Sequence, residues 1–383
     1  MDFRLSPAHQ MIRDTARRFV DKELPRERVL EWVRNRVEPP REVFRKLGEL
    51  GLYGFLIPAE YGGGDEADPV GLAVFVEQLA RASSALATIY GRAAVICGPL
   101  VAAFGTAAQK DLVLPRVARG EVVLSLALTE PDAGSDAASI QTRAERQVDG
   151  SYLVRGAKTF ITQAESADFQ VLAARTEADR YRGITLFLLE RPGAIPNVEC
   201  RRIDTLGLSI APTYGVSYSG VALAADSVIG SAGEGWKYLL HGLDMERFYH
   251  GAITTGASQA IVDEVVTYVK QRVQFGQPLG KLQAVRHKLA DMQTSVDAAR
   301  LLTYRAAHAL QLQGSAPREA SMAKLVGAET YMRVAHDGLQ LLGGYGYSVE
   351  SGLPMHFADA KLFEIGGGAM EIQRNIIAKA MGL

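Results

Sequence analysis

The stretch EVVLSLALTEPDAGSD, residues 121–136, is where the character of the chain changes. Upstream of it, apolar residues recur at helical spacing. In LSPAHQMIRDTARRFVDKELP (5–25) Met11, Ile12, Ala16, Phe19 and Val20 share a face, Ser6 is placed to cap, and Pro25 closes the segment. REVFRKLGELG (41–51) and VGLAVFVEQLARAS (70–83) repeat the pattern, with the Gly- and Pro-rich connection LIPAEYGGGDEADP (56–69) between them. Downstream come short β-branched runs broken by turn signals: VVLSLAL (122–128), SYLVRGAKTFIT (151–162), FQVLAART (169–176), GITLFLLE (183–190) and YGVSYSGVAL (214–223). Asp149-Gly150 predicts a tight two-residue hairpin, because that pair tolerates positive φ.

After GSAGEGW (230–236) helical periodicity returns in three long stretches, 251–276, 282–311 and 318–344, which predict antiparallel helices in a bundle. The expected architecture is α+β: an N-terminal helical domain over 1–120, a β domain over 121–230 and a C-terminal four-helix bundle over 231–383.

A chain of 383 residues with 48% apolar and 22% charged residues is globular, and 42 basic against 43 acidic residues leave a net charge of −1. No global field draws in nucleic acid or an anionic membrane. Cys97 and Cys200 stand far apart with no Cys/His pair beside them, so neither a disulfide framework nor a metal site is expected, and the compartment reads as reducing. The start MDFRLSPAHQ has no signal-peptide pattern. The longest charge-free stretch, 205–225, holds Pro212 and several Gly, Ser, Thr and Tyr, against a membrane span. A cytoplasmic location follows from these readings.

The segment LALTEPDAGSD (126–136) leaves the first strand with Thr129, Gly134 and Ser135. Gly134 permits close backbone approach, and free N–H groups beside hydroxyls suit an anionic or hydrogen-bonding ligand; an ordinary strand-end turn has the same composition. In TFIT (159–162), Phe160 offers a flat apolar surface and Thr162 a donor and acceptor, a pair that also makes plain β packing.

Taken together, LALTEPDAGSD, GAKTFIT (156–162), QRVQFGQPLGKLQ (271–283), LQLLGGYGY (339–347) and IQRNIIAKA (372–380) resemble the acyl-CoA dehydrogenase family along essentially the whole chain. TEPDAGSD is close to one family signature, and R-x-x-F-G-x-x-[LI] at Arg272, Phe275, Gly276 and Leu279 is another. The resemblance implies FAD between helical, β and helical domains. It places Leu126, Leu128, Thr129, Gly134 and Ser135 on the first flavin-binding strand and loop, with Phe160, Ile161 and Thr162 beside the isoalloxazine. Arg272, Gln274, Phe275, Leu282, Gln283, Gln340, Leu341, Gly343 and Gly344 match positions that hold the FAD of a neighbouring subunit, and Ala369 and Glu371 complete the cofactor set. A homo-oligomer, dimer or tetramer, is therefore implied. So are an acyl-CoA or acyl-carrier thioester as substrate and an electron-transfer flavoprotein as acceptor.

The implied chemistry is removal of an α-proton by a carboxylate while a β-hydride moves to flavin N5, with hydrogen bonds to the thioester carbonyl stabilising the enolate. Burial is expected to raise the pKa of that carboxylate towards working pH. Many relatives carry the base just before the last helix, where this chain has Ile365-Gly366-Gly367-Gly368-Ala369, with Gly367 at the carboxylate position. A branch that includes isovaleryl-CoA dehydrogenase carries it on a helix after the β domain, just before an arginine, where this chain reads LDMERF (243–248). Glu246 is thus the implied base; Asp244, Arg247, Ser135, Gly367 and Gly368 face the substrate. Without the resemblance Glu246 would read as a solvated helix-surface carboxylate. Ala358 stands where relatives carry arginine, and Arg92, on a helix beside Tyr90, reads either as a surface residue near the cofactor entrance or as a clamp for a substrate carboxylate. Enoyl-CoA reduction, a desulfinase-like reaction, oxidation of a carrier-bound acyl group and flavin or acyl-CoA binding without turnover stay open beside dehydrogenation.

Overall fold

Ser6 accepts a hydrogen bond from the His9 N–H at 3.2 Å and opens the helix Pro7–Glu23; Leu24 and Pro25 end it. The computed structural model describes residues 4–383. Helices Arg26–Asn35, Arg41–Glu49 and Pro69–Ala82 follow, the last buried along most of its length by an apolar surface that runs all round it. Next comes the apolar run Ser84–Phe104, long enough to cross a bilayer and 83% buried inside the molecule. Its centre, Arg92–Cys97, is π-helical between the α-helical turns Ser84–Gly91 and Gly98–Phe104. Helix Ala107–Ala118, closed at its start by a Thr106–Gln109 capping box, ends this part.

Eight strands then form one sheet. From one edge the order is Val198–Ile203, Thr213–Leu223, Tyr152–Thr162, Arg143–Arg146, Phe169–Arg175, Ile184–Glu190 and Val228–Ile229, with Leu124–Ala127 pairing in parallel with Phe169–Arg175. Strand Phe169–Arg175 shows why both faces are apolar: Phe169, Val171 and Ala173 enter the core shared with the helices, while Leu172 and Ala174 enter a second core with Phe187, Tyr214 and Val216. The Asp149-Gly150 hairpin is wider than its sequence suggests. Gln147 N–H bonds the Ser151 carbonyl at 2.8 Å and Gly150 N–H the Gln147 carbonyl at 3.0 Å, and of the pair only Gly150 has positive φ, the pattern of a three-residue loop with a glycine bulge.

The C-terminal part is built on the 37-residue helix Gly235–Gln271, joined by Gln283–Gln313, Pro317–Leu342 and Leu353–Ile365 in a bundle, with a fifth helix, Met370–Ala380, packed on Pro317–Leu342. The long helix starts well before residue 251 and stops at Gln271; residues beyond it pair as a small ladder, Val273–Gln274 with Gln277–Pro278. Asp359 ties the three parts together, accepting from Ser84 Oγ at 2.6 Å and from the Leu208 N–H at 2.7 Å.

Candidate active site

A Cβ on Gly91 would overlap the Tyr249 ring, so the glycine lets the Ser84–Phe104 helix press directly onto helix Gly235–Gln271. The π-helical turn begins at the next residue, and Arg92 Nη1 donates to Glu246 Oε1 at 3.0 Å. Glu246 is 5% exposed and Arg92 has 19% of its side chain exposed, so neither is a surface residue. Burial pushes the Glu246 carboxyl up, but the positive groups around it, Arg92 foremost with His250 and Arg247 after it, together outweigh burial and hold the group below the usual carboxylate range. The raised pKa expected for this carboxylate is therefore absent in the protein on its own, and Arg92 is the largest of the charges that lower it.

Two more charges flank the pair. Arg247 Nη1 donates to Asp244 Oδ1 at 2.8 Å, and Ser315 Oγ donates to Asp244 Oδ2 at 2.8 Å. Asp244 is thereby committed to protein partners, while the buried Nε of Arg247 has none. One turn after Glu246, His250 is buried; burial lowers its pKa to about 4, so it is neutral at pH 7, and its Nδ1 has no partner.

Gly367 closes the site from the other side. It lies at φ +65°, and a Cβ there would stand 2.6 Å from His250 Cε1 and 3.8 Å from Glu246 Cδ. The two places at which the family carries its base thus converge on one point in space. The glycine turn is held from behind: Lys324 Nζ donates to the Gly368 carbonyl at 2.7 Å, and Gln373 Nε2 donates to the carbonyls of Gly367 and Gly368 at 3.2 and 2.8 Å. With its carbonyls so occupied, the turn leaves the N–H groups of Gly367 and Gly368 without partners among the described residues. Lys324 is fully buried, and burial lowers its pKa to about 8. Sequence reasoning passed over Lys324, Gln373 and His250. A lysine inside the small-residue helical run SMAKLVGA (321–328), and a histidine four residues after the carboxylate, are the signals that could have found them.

The residues expected on the flavin side gather where the first strand ends. Strand Leu124–Ala127 packs on the π-helical turn, and Cys97 Sγ donates to the Ser125 carbonyl at 3.5 Å. Glu130 shapes the following loop from inside: it is buried and ion-paired with the fully buried Lys158 Nζ at 2.8 Å, and it accepts the Gln141 and Thr142 N–H groups. The loop's outer edge is free. Gly134 and Ser135 are exposed, and their N–H groups have no intramolecular partner. Thr159 N–H donates to the Thr129 carbonyl at 2.9 Å and binds this loop to strand Tyr152–Thr162. That strand slips register between Lys158 and Ile161, which turns Phe160 outward at φ +58° with 63% of its surface exposed. Thr129 and Thr162 are half-buried and their hydroxyls have no protein partner among the described residues. Ile161 and Leu128 are buried beneath, and Leu126 is half-buried. An outward-held aromatic ring, two free hydroxyls and free N–H groups suit the flat, hydrogen-bonding, phosphate-bearing shape of FAD.

The remaining predicted cofactor residues lie elsewhere. Glu246 and Arg272 are separated by about 39 Å of helix at 1.5 Å per residue, so Arg272, Gln274 and Phe275 cannot share a site with Glu246 of the same chain. Phe275 is 91% exposed on the small ladder, and Gln283, Gln340, Gly343 and Gly344 are exposed near it, with Leu282 and Leu341 half-buried. Arg272 stacks over the Tyr345 ring at 5.7 Å. Ala369 precedes the last helix, and Glu371 is exposed in its first turn.

This arrangement suits a flat redox cofactor held beside a buried carboxylate. Residues 6–121, 125–221 and 233–382 match the acyl-CoA dehydrogenase N-terminal, middle and C-terminal domains in turn, and the chain belongs to the acyl-CoA dehydrogenase family. It is 34% identical to the 3-(aryl)acrylate reductase of Clostridium sporogenes over 97% of each chain, and 34% identical to the mitochondrial isovaleryl-CoA dehydrogenase of Arabidopsis thaliana over 89% of this chain and 84% of that one. Its fold superposes on the butyryl-CoA dehydrogenase of Megasphaera elsdenii with a TM-score of 0.94 at 34% identity, covering all of both chains. The enzyme is an FAD-dependent oxidoreductase acting on CH–CH bonds.

Proposed function

We propose that the protein dehydrogenates an acyl thioester, with Glu246 taking the α-proton and a trans-2-enoyl thioester leaving. The observation that carries this reading is convergence: Glu246 is buried at the point towards which the substituent-free Gly367 opens, its Cδ 3.8 Å from where a Cβ at residue 367 would stand. Bound FAD supplies the acceptor for the β-hydride. Thr129, Thr162 and Phe160 would hold it, with the loop N–H groups of Gly134 and Ser135 free to donate to its polar atoms. The free N–H groups at Gly367 and Gly368, fixed by Lys324 and Gln373, stabilise the negative charge that develops on the thioester oxygen as the α-proton departs. Burial of Glu246 excludes water from the proton it has taken.

The exposed ladder around Phe275 supports a homo-oligomer, dimer or tetramer, in which this surface serves a neighbour's FAD. The acceptor is an electron-transfer flavoprotein, and the two free cysteines suit a cytoplasmic enzyme of fatty acid or amino acid catabolism. A second reading, reduction of an enoyl thioester with Glu246 returning the α-proton, is favoured by the similarity to a 3-(aryl)acrylate reductase. Anaerobic titration with saturated acyl-CoA separates the two. Dehydrogenation requires bleaching of the flavin by the wild type and its loss in Glu246→Gln with FAD still bound; no bleaching, with reoxidation of chemically reduced protein by an enoyl-CoA, establishes the second reading.

A further inference from the structure

Arg92 has a problem of charge. It sits in a helix whose neighbouring residues are almost all buried and apolar, and among the described residues its only hydrogen-bond and ion-pair partner is Glu246. That partner is the group that must accept a proton. While Arg92 holds it, the carboxylate is stabilised as an anion and weakened as a base. Protonating it leaves a largely buried guanidinium facing a neutral acid. The other anion nearby offers no escape, since Asp244 is already shared between Arg247 and Ser315. Lys324 and Arg247 add positive charge around Glu246.

The guanidinium also has capacity to spare. Only Nη1 is engaged; Nε and Nη2 have no protein partner and are not sealed off, the side chain being 19% exposed. An arginine with one edge on the base and another edge free is arranged to hand itself from one carboxylate to a second, which it can grip bidentately. Close by, the buried Nδ1 of His250 is a further polar atom with no partner. A purely hydrocarbon acyl chain would leave both groups unanswered, at a desolvation cost the site would bear in every turnover.

We propose that Arg92 receives a carboxylate carried by the substrate's acyl chain, and that its transfer to this carboxylate frees Glu246 to act as base. The substrate class is then a short dicarboxylic acyl thioester. The inference rests on Glu246 being the base. Arrival of the acyl carboxylate neutralises Arg92 and so removes the largest of the charges that oppose burial at Glu246, and its basicity rises when the α-carbon is in place. Neutral chains leave Arg92 on Glu246 and react slowly.

The test compares succinyl-, glutaryl- and adipoyl-CoA with butyryl-, valeryl- and hexanoyl-CoA in anaerobic flavin reduction by the FAD-loaded wild type, Arg92→Gln and Arg92→Lys. For the wild type, the best dicarboxylic thioester should reduce the flavin at least about tenfold faster than the neutral thioester of equal length. In Arg92→Gln that preference should invert: the dicarboxylic rate falls by roughly tenfold or more, while the neutral rate rises, because the base has lost its tether. Arg92→Lys keeps the charge without the fork and should fall between the two. A structural role alone would slow both classes together. The inference is overturned if the wild type prefers neutral chains, or if Arg92→Gln lowers both rates in parallel with FAD still bound. Glu246-dependent bleaching by neutral thioesters would leave dehydrogenation standing while this inference fails. Silence with every thioester removes both.

Discussion

Glu246 and Gly367, from distant parts of the chain, face one point, and His250 fills the space between them. In a Glu246→Gln background, Gly367→Glu is expected not to restore acyl-CoA-dependent flavin reduction, since a Cβ at residue 367 would stand 2.6 Å from His250 Cε1 at a backbone φ of +65°. Adding His250→Gly opens that space and should return a measurable rate; recovery without the second change would show that the glycine turn yields more readily than the packing implies. The run LDMERF and the missing carboxylate at residue 367 single out Glu246 in the sequence, and the proposed role of base rests on its burial beside Gly367. Its partner was not. Arg92 lies 154 residues away, and a contact of that separation leaves no periodicity, spacing or composition to read. Asp244, expected to face the substrate, is committed to Arg247 and Ser315.

At the level of elements, the sequence revealed the helical, β, helical succession because the apolar period changes at residue 121 and changes back near residue 235. It missed irregularities inside elements. The π-helical turn at Arg92–Cys97 and the register slip before Ile161 arise where packing overrides local preference, and each sets a site residue, Arg92 in one case and Phe160 in the other. Phe160 at φ +58° is held against its own backbone preference, at about 1–3 kcal/mol. Phe160→Gly should therefore raise the thermal midpoint of the flavin-free protein by roughly 1–3 °C, the loss of an exposed ring taking little packing with it. The same change should weaken FAD binding by about tenfold, measured by fluorescence titration. An unchanged FAD affinity would remove Phe160 from the cofactor surface.

Across the whole molecule, Asp359 joins helix, sheet and bundle as a buried carboxyl, and burial raises its pKa to about 6. The folded state then holds this proton more tightly than the unfolded chain does. Its contribution to stability is present below about pH 4 and is lost as pH rises through about 6, an effect on the order of 2–3 kcal/mol. Asp359→Asn, whose amide can bond both Ser84 and Leu208, is expected to match the wild type in urea unfolding at pH 4 and to exceed it at pH 7.5. A variant less stable at pH 7.5 would mean that the ionised form is well solvated where it lies. The proposed proton transfer by Glu246 draws on all three domains: a strand-end loop, a π-helical turn and the long helix supply the expected cofactor surface and the carboxylate. Deuterium uptake tests it most directly. With FAD-loaded protein and an acyl-CoA in D2O, followed by mass spectrometry of the recovered thioester, the wild type should place deuterium at the α-carbon and Glu246→Gln should place none while its flavin spectrum is unchanged. Equal uptake by both proteins would contradict the account.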